Sequence, residues 1–189
     1  MWAVEDLMRE HGLLNRILII YEVCIHKIRN NAVDYNIIYK SARIVREFIE
    51  EYHEKSEEEF IFPLFKQKKL VRELLKQHKI GRLITSRILE LSSLNSNPQE
   101  LCILLELFCK LYRIHASRED TVLFQELYKI LNEEQRQELT KRMQESEENE
   151  SFDNTLKKVE NIEKLLGIHR MQDITDNVIN ILKSLEIKN

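Results

Sequence analysis

The stretch "YHEKSEEEFIFPLF", residues 52–65, decides the fold. Residues four apart share one face of a helix, and Ile49, His53, Glu57 and Ile61 follow one another at that spacing. A histidine and a carboxylate therefore interrupt an apolar stripe on its own line. Burying such groups costs several kcal/mol unless they are paired or bound to something positively charged.

The rest of the chain supplies the setting. With 189 residues, one domain with a real core is expected. Three glycines and two prolines are too few for a turn-rich β protein and favour long helices. A net charge of −3 with no basic stripe gives no reason to propose nucleic acid. No apolar run approaches the ~18 residues of a membrane span. The N-terminal residues Met1 to Asp6 lack the basic and apolar regions of a signal peptide. Cys24, Cys102 and Cys109 contain no C-x-x-C and read as reduced thiols, so a cytoplasmic protein is expected.

Leu7, His11, Leu14, Leu18, Tyr21, Ile25 and Ile28 form the apolar stripe of a first helix over about residues 5–29. Asn30 and Asn31 punctuate its end. A second helix starts near Asp34, a plausible N-cap, and runs through Ala42, Val45, Ile49, His53, Glu57 and Phe60 until Pro63 stops it. The third carries Val71, Leu74 or Leu75, His78, Thr85, and Ile88 or Leu89. A loop at residues 92–98 follows. Pro98 then opens a fourth helix with the stripe Leu101, Leu104, Phe108, Leu111, His115, Glu119 and Val122. The expected fold class is all-α, an antiparallel up-down-up-down four-helix bundle over residues 1–131.

Residues 132–189 read as a C-terminal helical extension. Asn132-Glu133-Glu134 starts a helix, and residues 145–150 make an acidic link. Phe152, Leu156, Val159, Ile162, Leu165 and Leu166 form another stripe, ended by Gly167. Asp173 is placed to cap a last helix through Val178, Ile181, Leu182 and Leu185. The extension is expected to pack on the bundle, with self-association as the other use of its apolar faces.

The opening stretch has an echo. "HEKSEEEFIFP" (53–63) aligns with "HASREDTVLFQ" (115–125): His53 with His115, Glu57 with Glu119, Glu58 with Asp120, Ile61 with Leu123, Phe62 with Phe124. Each copy follows a helix with a single histidine on its apolar stripe, His11 and His78. Two helical hairpins packed face to face would bring four imidazoles and two carboxylates into one interior. A carboxylate has two oxygens and can bridge two metals, and imidazole with carboxylate suits iron, manganese or zinc. Cations in that position would explain the polar groups on the stripe.

These residues resemble the hemerythrin-like proteins of the HHE cation-binding type. The resemblance rests on "REHGLLNRIL" around His11, "YHEKSEEEFIFPLF" around His53 and Glu57, "KQHKIGR" around His78 and "YRIHASREDTVLF" around His115 and Glu119, spanning roughly residues 5–131. The later segment "FDNTLKKVENIEKLLGI" also resembles the tail of one branch of bacterial members. The resemblance implies two iron ions with an oxo or hydroxo bridge, held directly by side chains. The expected metal ligands are His11, His53, Glu57, His78, His115 and Glu119. It also implies a small diatomic or peroxide ligand (O₂, NO or H₂O₂), bound for sensing, storage or detoxification. The alternative is a redox enzyme that reduces NO or peroxide, or iron delivery in iron–sulfur cluster repair, with an electron-donor protein as partner.

Two departures separate the chain from the family's oxygen carriers. Their third helix presents His-x-x-x-His, whereas Arg82 stands four after His78, so a coordination position is open or filled by solvent. Their fourth helix uses His-x-x-x-x-Asp, whereas Glu119 and Asp120 both follow His115, and Glu119 matches Glu57 in the repeat. A ferritin-like carboxylate oxidase needs Glu-x-x-His on two helices. Glu50 precedes His53 suitably, but Tyr112 stands before His115.

Nearby residues admit more than one reading. Gly81 is a tolerated helix glycine or space for a small ligand. Tyr112 is ordinary core, a hydrogen-bond donor or a redox-active phenol. Arg82 neutralises carboxylates, gates the pocket or makes a surface salt bridge. Glu58 and Asp120 are read as exposed or as outer partners of the ligands rather than as bridges. His26 lies about 22 Å along the first helix from His11 and is assigned to the surface. His169, after Gly167, is assigned to a turn.

Overall fold

A computed structural model describes residues 2–65, 68–145, 152–168, 178–181 and 183. Helix α1 is Ala3–Arg29. It stops where Asn31 turns to φ 55°, a left-handed conformation that asparagine tolerates. Helix α2 covers residues 35–61, and the Asp34 carboxylate caps it by accepting from the Ile37 amide at 3.0 Å. Helix α3 is Lys69–Ser93. Helix α4 covers residues 98–130, with Asn97 capping and Pro98 in its first turn, where a missing amide proton costs nothing. Helix α5 is Glu133–Glu145, and Asn132 and Gln135 bond reciprocally at its start. Helix α6 is Phe152–Leu166, closed by Gly167 at φ 68°.

Helices α1 to α4 form an antiparallel four-helix bundle, α1 against α4, α4 against α3, α3 against α2 and α2 against α1. Its interior has three layers along the axis. The large apolar layer contains Ile17, Tyr21, Phe48, Ile49, Leu105 and Phe108. The small one contains Leu7, Phe60, Ile61, Leu74, Leu123 and Phe124. Between them every helix presents polar residues: His11 on α1, His53 and Glu57 on α2, His78 on α3, His115 and Glu119 on α4, each at most 2% exposed. Helix α5 adds Leu139 and Met143 to the small layer. Helix α6 adds Val159 and Ile162 to the large one, and Arg16 of α1 pairs with Glu163 of α6 through two donors. Fully burying one such apolar side chain is worth about 1.5–3 kcal/mol.

Helices α2 and α4 are not regular. Helix α2 is α-helical over Tyr35–Ile44, π-helical over Val45–His53, α-helical over Glu54–Ser56 and π-helical again over Glu57–Ile61. A 3₁₀ turn at Phe62–Phe65, containing Pro63, ends it. Helix α4 has one π segment, Glu119–Leu123, between Pro98–Arg118 and Phe124–Ile130. The widened turns correct the expected stripe of α4. Leu123 is buried and Val122 is 42% exposed, because i→i+5 bonding adds about one residue per turn and keeps the residue four after Glu119 inward. Earlier in α4, Leu105 and Tyr112 are fully buried while Leu104 and Leu111 are half-buried. Leu165 of α6 is 65% exposed and also leaves its predicted stripe.

His26 lies on the surface beside Asn30. Cys24 and Cys109 are buried free thiols and Cys102 is half-buried; burial pushes Cys24 and Cys109 up to about 12. The expected link after Glu145, His169, the Asp173 cap, Leu182 and Leu185 lie outside the described residues. No helix among the described residues is long and apolar enough to cross a membrane.

Candidate metal centre

The polar layer gathers the six predicted residues. The imidazoles form two pairs: His11 and His53 face each other with their Nε2 atoms 3.0 Å apart, and so do His78 and His115. The two carboxylates lie between the pairs, and each reaches one imidazole of both. Glu57 Oε2 is 3.7 Å from His53 Nε2 and 3.5 Å from His78 Nε2. Glu119 Oε2 is 3.4 Å from His11 Nε2 and 3.0 Å from His115 Nε2. Donor atoms of Glu57, His78, His115 and Glu119 all lie within 4.8 Å of one another, as do those of His11, His53 and Glu57.

Every imidazole turns Nε2 inward because an acceptor holds its Nδ1. His11 Nδ1 meets Asp120 at 2.8 Å, His53 Nδ1 meets Glu10 at 2.7 Å, His78 Nδ1 meets Glu58 at 2.9 Å, and His115 Nδ1 meets Gln77 at 3.0 Å. A neutral imidazole that donates from Nδ1 carries its lone pair on Nε2. Two lone pairs then face each other at 3.0 Å in each pair, which is repulsive unless something electrophilic lies between them. Neither oxygen of Glu57 or Glu119 has a hydrogen-bond partner among the described residues, and both side chains are fully buried. An orphaned buried carboxylate is expensive. Cations resolve both problems at once, so the donor set fits a pair of metal ions.

Without cations, protons must do that work. Burial, with Glu119 beside it, drives the Glu57 carboxyl well above its usual range. Burial pushes Glu119 the same way, but His115 and His11 outweigh it and hold that carboxyl low. Burial depresses His11, yet Asp120 and Glu119 raise it to about 9. His53 is driven well below 6.5 by burial and by His11. His78 falls to about 4 by burial, against Glu58.

The backbone repeats with the side chains. The Phe62 amide bonds the Glu57 carbonyl and the Phe124 amide bonds the Glu119 carbonyl, so corresponding π turns open on corresponding glutamates. Phe62 stacks on His78 and Phe124 on His11, at 5.4 and 5.9 Å between centroids. Such π turns recur at functional sites. Glu58 and Asp120, matched in the repeat, each reach the lone histidine of the other hairpin.

The symmetry breaks around His78. Arg82 leaves the cluster and pairs with Glu54 at 2.9 Å and Glu58 at 2.7 Å. Glu54, fully buried, accepts from the Tyr112 hydroxyl at 2.6 Å and lies 3.9 Å from His78 Nδ1. Burial raises its carboxyl to about 8. Tyr112 stacks on Phe108 and sits 5.6 Å from His115, centroid to centroid. Of the two readings of Gly81, the structure bears on the second: a Cβ on Gly81 would lie 2.0 Å from the Tyr112 hydroxyl. The room it makes is already filled. Glu50 is buried and pairs with Arg46 at 3.1 Å.

Three participants are absent from the predicted set: Glu10, Gln77 and Glu54. Glu10 and Gln77 immediately precede the lone histidines of the two hairpins, so the repeat held a signal for them. Glu54 has none, because its counterpart in the second copy is Ala116.

An antiparallel helical bundle with a buried layer of four imidazoles and two shared carboxylates defines a class of helical cation-binding proteins. The profile of the hemerythrin HHE cation binding domain matches residues 3–127. The chain is also 30% identical, over 187 residues, to uncharacterized protein Mb2018 of Mycobacterium bovis and to uncharacterized protein Rv1995 of Mycobacterium tuberculosis, covering 92% of this chain and 73% of each relative. No solved structure gives a significant match. The chain belongs to the hemerythrin HHE cation-binding family.

Proposed function

We propose that this chain holds two iron ions in the polar layer and binds O₂, NO or peroxide there. The observation that carries this reading is the position of Glu57 and Glu119, each within ion-pair range of one imidazole from both pairs and, among the described residues, with no other polar partner for any oxygen. His11 and His53 would hold one ion, His78 and His115 the other, and the two glutamates would be shared. Two imidazoles per ion leave coordination positions for a small ligand, since Arg82 contributes none. Bound iron would supply electrons to such a ligand and stabilise negative charge on it.

The chain's own residues do the rest. Asp120, Glu10, Glu58 and Gln77 fix the imidazole orientation and make the rings better donors. The two apolar layers keep bulk water from the cluster. Tyr112, with its proton held toward Glu54, stands beside the His78–His115 pair.

Iron analysis after anaerobic reconstitution tests the reading. Two irons per chain are expected, with optical spectra that change on reduction and again on exposure to air. A chain that takes up no iron would refute it. Stopped-flow mixing of the reduced protein with O₂, NO and H₂O₂ identifies the ligand, and steady turnover would make the protein an enzyme rather than a carrier or sensor.

A further inference from the structure

The two halves of the cluster have the same ligand types but different backing. Behind the His11–His53 pair stand two carboxylates, Asp120 at 2.8 Å from His11 and Glu10 at 2.7 Å from His53. Asp6 and Arg9 also influence Glu10, but they pair with each other at 3.3 Å. Behind the His78–His115 pair stand a carboxylate and an amide. Glu58, on His78, shares its charge with Arg82 at 2.7 Å, and Glu54, 3.9 Å from His78, shares the same guanidinium. Gln77, on His115, is neutral. An acceptor with full negative charge makes an imidazole a stronger donor to a cation, and loss of such a partner changes metal affinity by about 10- to 100-fold.

We infer that the two cation positions are unequal: the His11–His53 position binds its cation more tightly and fills first, and the His78–His115 position fills second. The inference rests on the dinuclear reading above. Within the repeat, the difference reduces largely to one pair of residues, Glu10 and Gln77, which hold equivalent places before His11 and His78.

The test is a titration of metal-free protein with Zn(II), followed by calorimetry and by nitrogen NMR of histidine-labelled chain, with each ring assigned from single His→Gln variants. Two equivalents are expected in two steps at least tenfold apart in affinity, with the His11 and His53 signals moving before those of His78 and His115. Glu10→Gln should weaken the first step about tenfold. Gln77→Glu should strengthen the second by a similar factor, and the double exchange should reverse the order. Both changes are isosteric, and circular dichroism checks the fold. Four ring signals moving together, His78 and His115 moving first, or a Gln77→Glu chain with an unchanged second step would overturn the inference while leaving two-cation binding intact. Saturation at one equivalent or none would overturn the dinuclear reading and this inference with it; stoichiometry separates the cases.

Discussion

In the large apolar layer the four helices meet through Ile88 and the rings of Tyr21, Phe48 and Phe108, none with any measurable exposure. Further along the axis the same stripes meet through four imidazoles and two carboxylates that are almost as completely buried. The apolar layer is stable by itself, since removing those rings from water is favourable whatever else is bound. The polar layer is stable only with positive charge inside it. One fold thus contains an interior that stands alone and an interior whose stability belongs to its occupant, and perturbations should separate the two.

The largest effect belongs to the self-sufficient layer. Phe108→Ala should cost about 3–5 kcal/mol, the range for deleting a large buried ring. Urea unfolding should show that loss with and without metal, and metal stoichiometry should stay the same. A Phe108→Ala chain with fewer bound metals would mean that the layers are coupled more tightly than their contacts imply.

The polar layer should answer to metal and to pH. Chelation should lower stability by about 2.7 kcal/mol for each site, relative to protein with free metal at 100 times that site's dissociation constant. The metal-free chain has a definite pH dependence. Glu10 and Glu54 are raised from 4.5 to about 8, mainly by burial. They hold protons more tightly folded than unfolded, so their contribution is lost as pH rises from about 4.5 to about 8, offset in part below 6.5 by His53 and His78, whose lowered values act the other way. His11, raised to about 9, acts in the same direction as the two carboxyls: its contribution is full below 6.5 and is lost as pH rises through 9. Metal replaces protons in the cluster, so the loaded protein should gain on the metal-free one over the same window. Thermal melts across that range, with and without metal, check the sign. A constant gap would mean that protons and cations do not compete.

Most of this division was legible in the chain. The stripes of α1 and α2 gave the bundle, and the repeat of His53 and Glu57 in His115 and Glu119 gave the polar layer, because both depend on spacing along one helix. What spacing could not reveal lies across helices or in the backbone. Glu10 is one residue from His11 yet serves His53 on another helix. Glu54 is buried only because Tyr112 and Arg82 arrive from α4 and α3. The π turn at Glu119–Leu123 keeps Leu123 inward in place of Val122; the single-helix stripe pointed to Val122, whereas the repeat, which matches Leu123 to Ile61, pointed to Leu123. The two readings of Gly81 stayed open because the ring that fills the room beside it comes from another helix.

That glycine supplies a sharper contrast, since a second glycine also neighbours a histidine of the cluster. Gly81→Ala would set a methyl 2.0 Å from the Tyr112 hydroxyl and 2.7 Å from its ring carbon. Overpacking of this kind costs about 1–3 kcal/mol. Tyr112→Phe should relieve only part of it, because the ring carbon remains, whereas Tyr112→Leu should relieve most, and a double-mutant cycle reads the coupling. Gly12 follows His11 on the outer face of α1, where an added Cβ meets nothing within 4 Å. Gly12→Ala should therefore stabilise the chain by about 0.5–1 kcal/mol, the helix-interior difference between the two residues. Chemical denaturation of both variants decides the matter. A Gly12→Ala chain that loses stability would place an unforeseen partner against α1, while a Gly81→Ala chain that gains it would mean that Tyr112 is free to move, and with it the hydrogen bond that holds Glu54 beside His78.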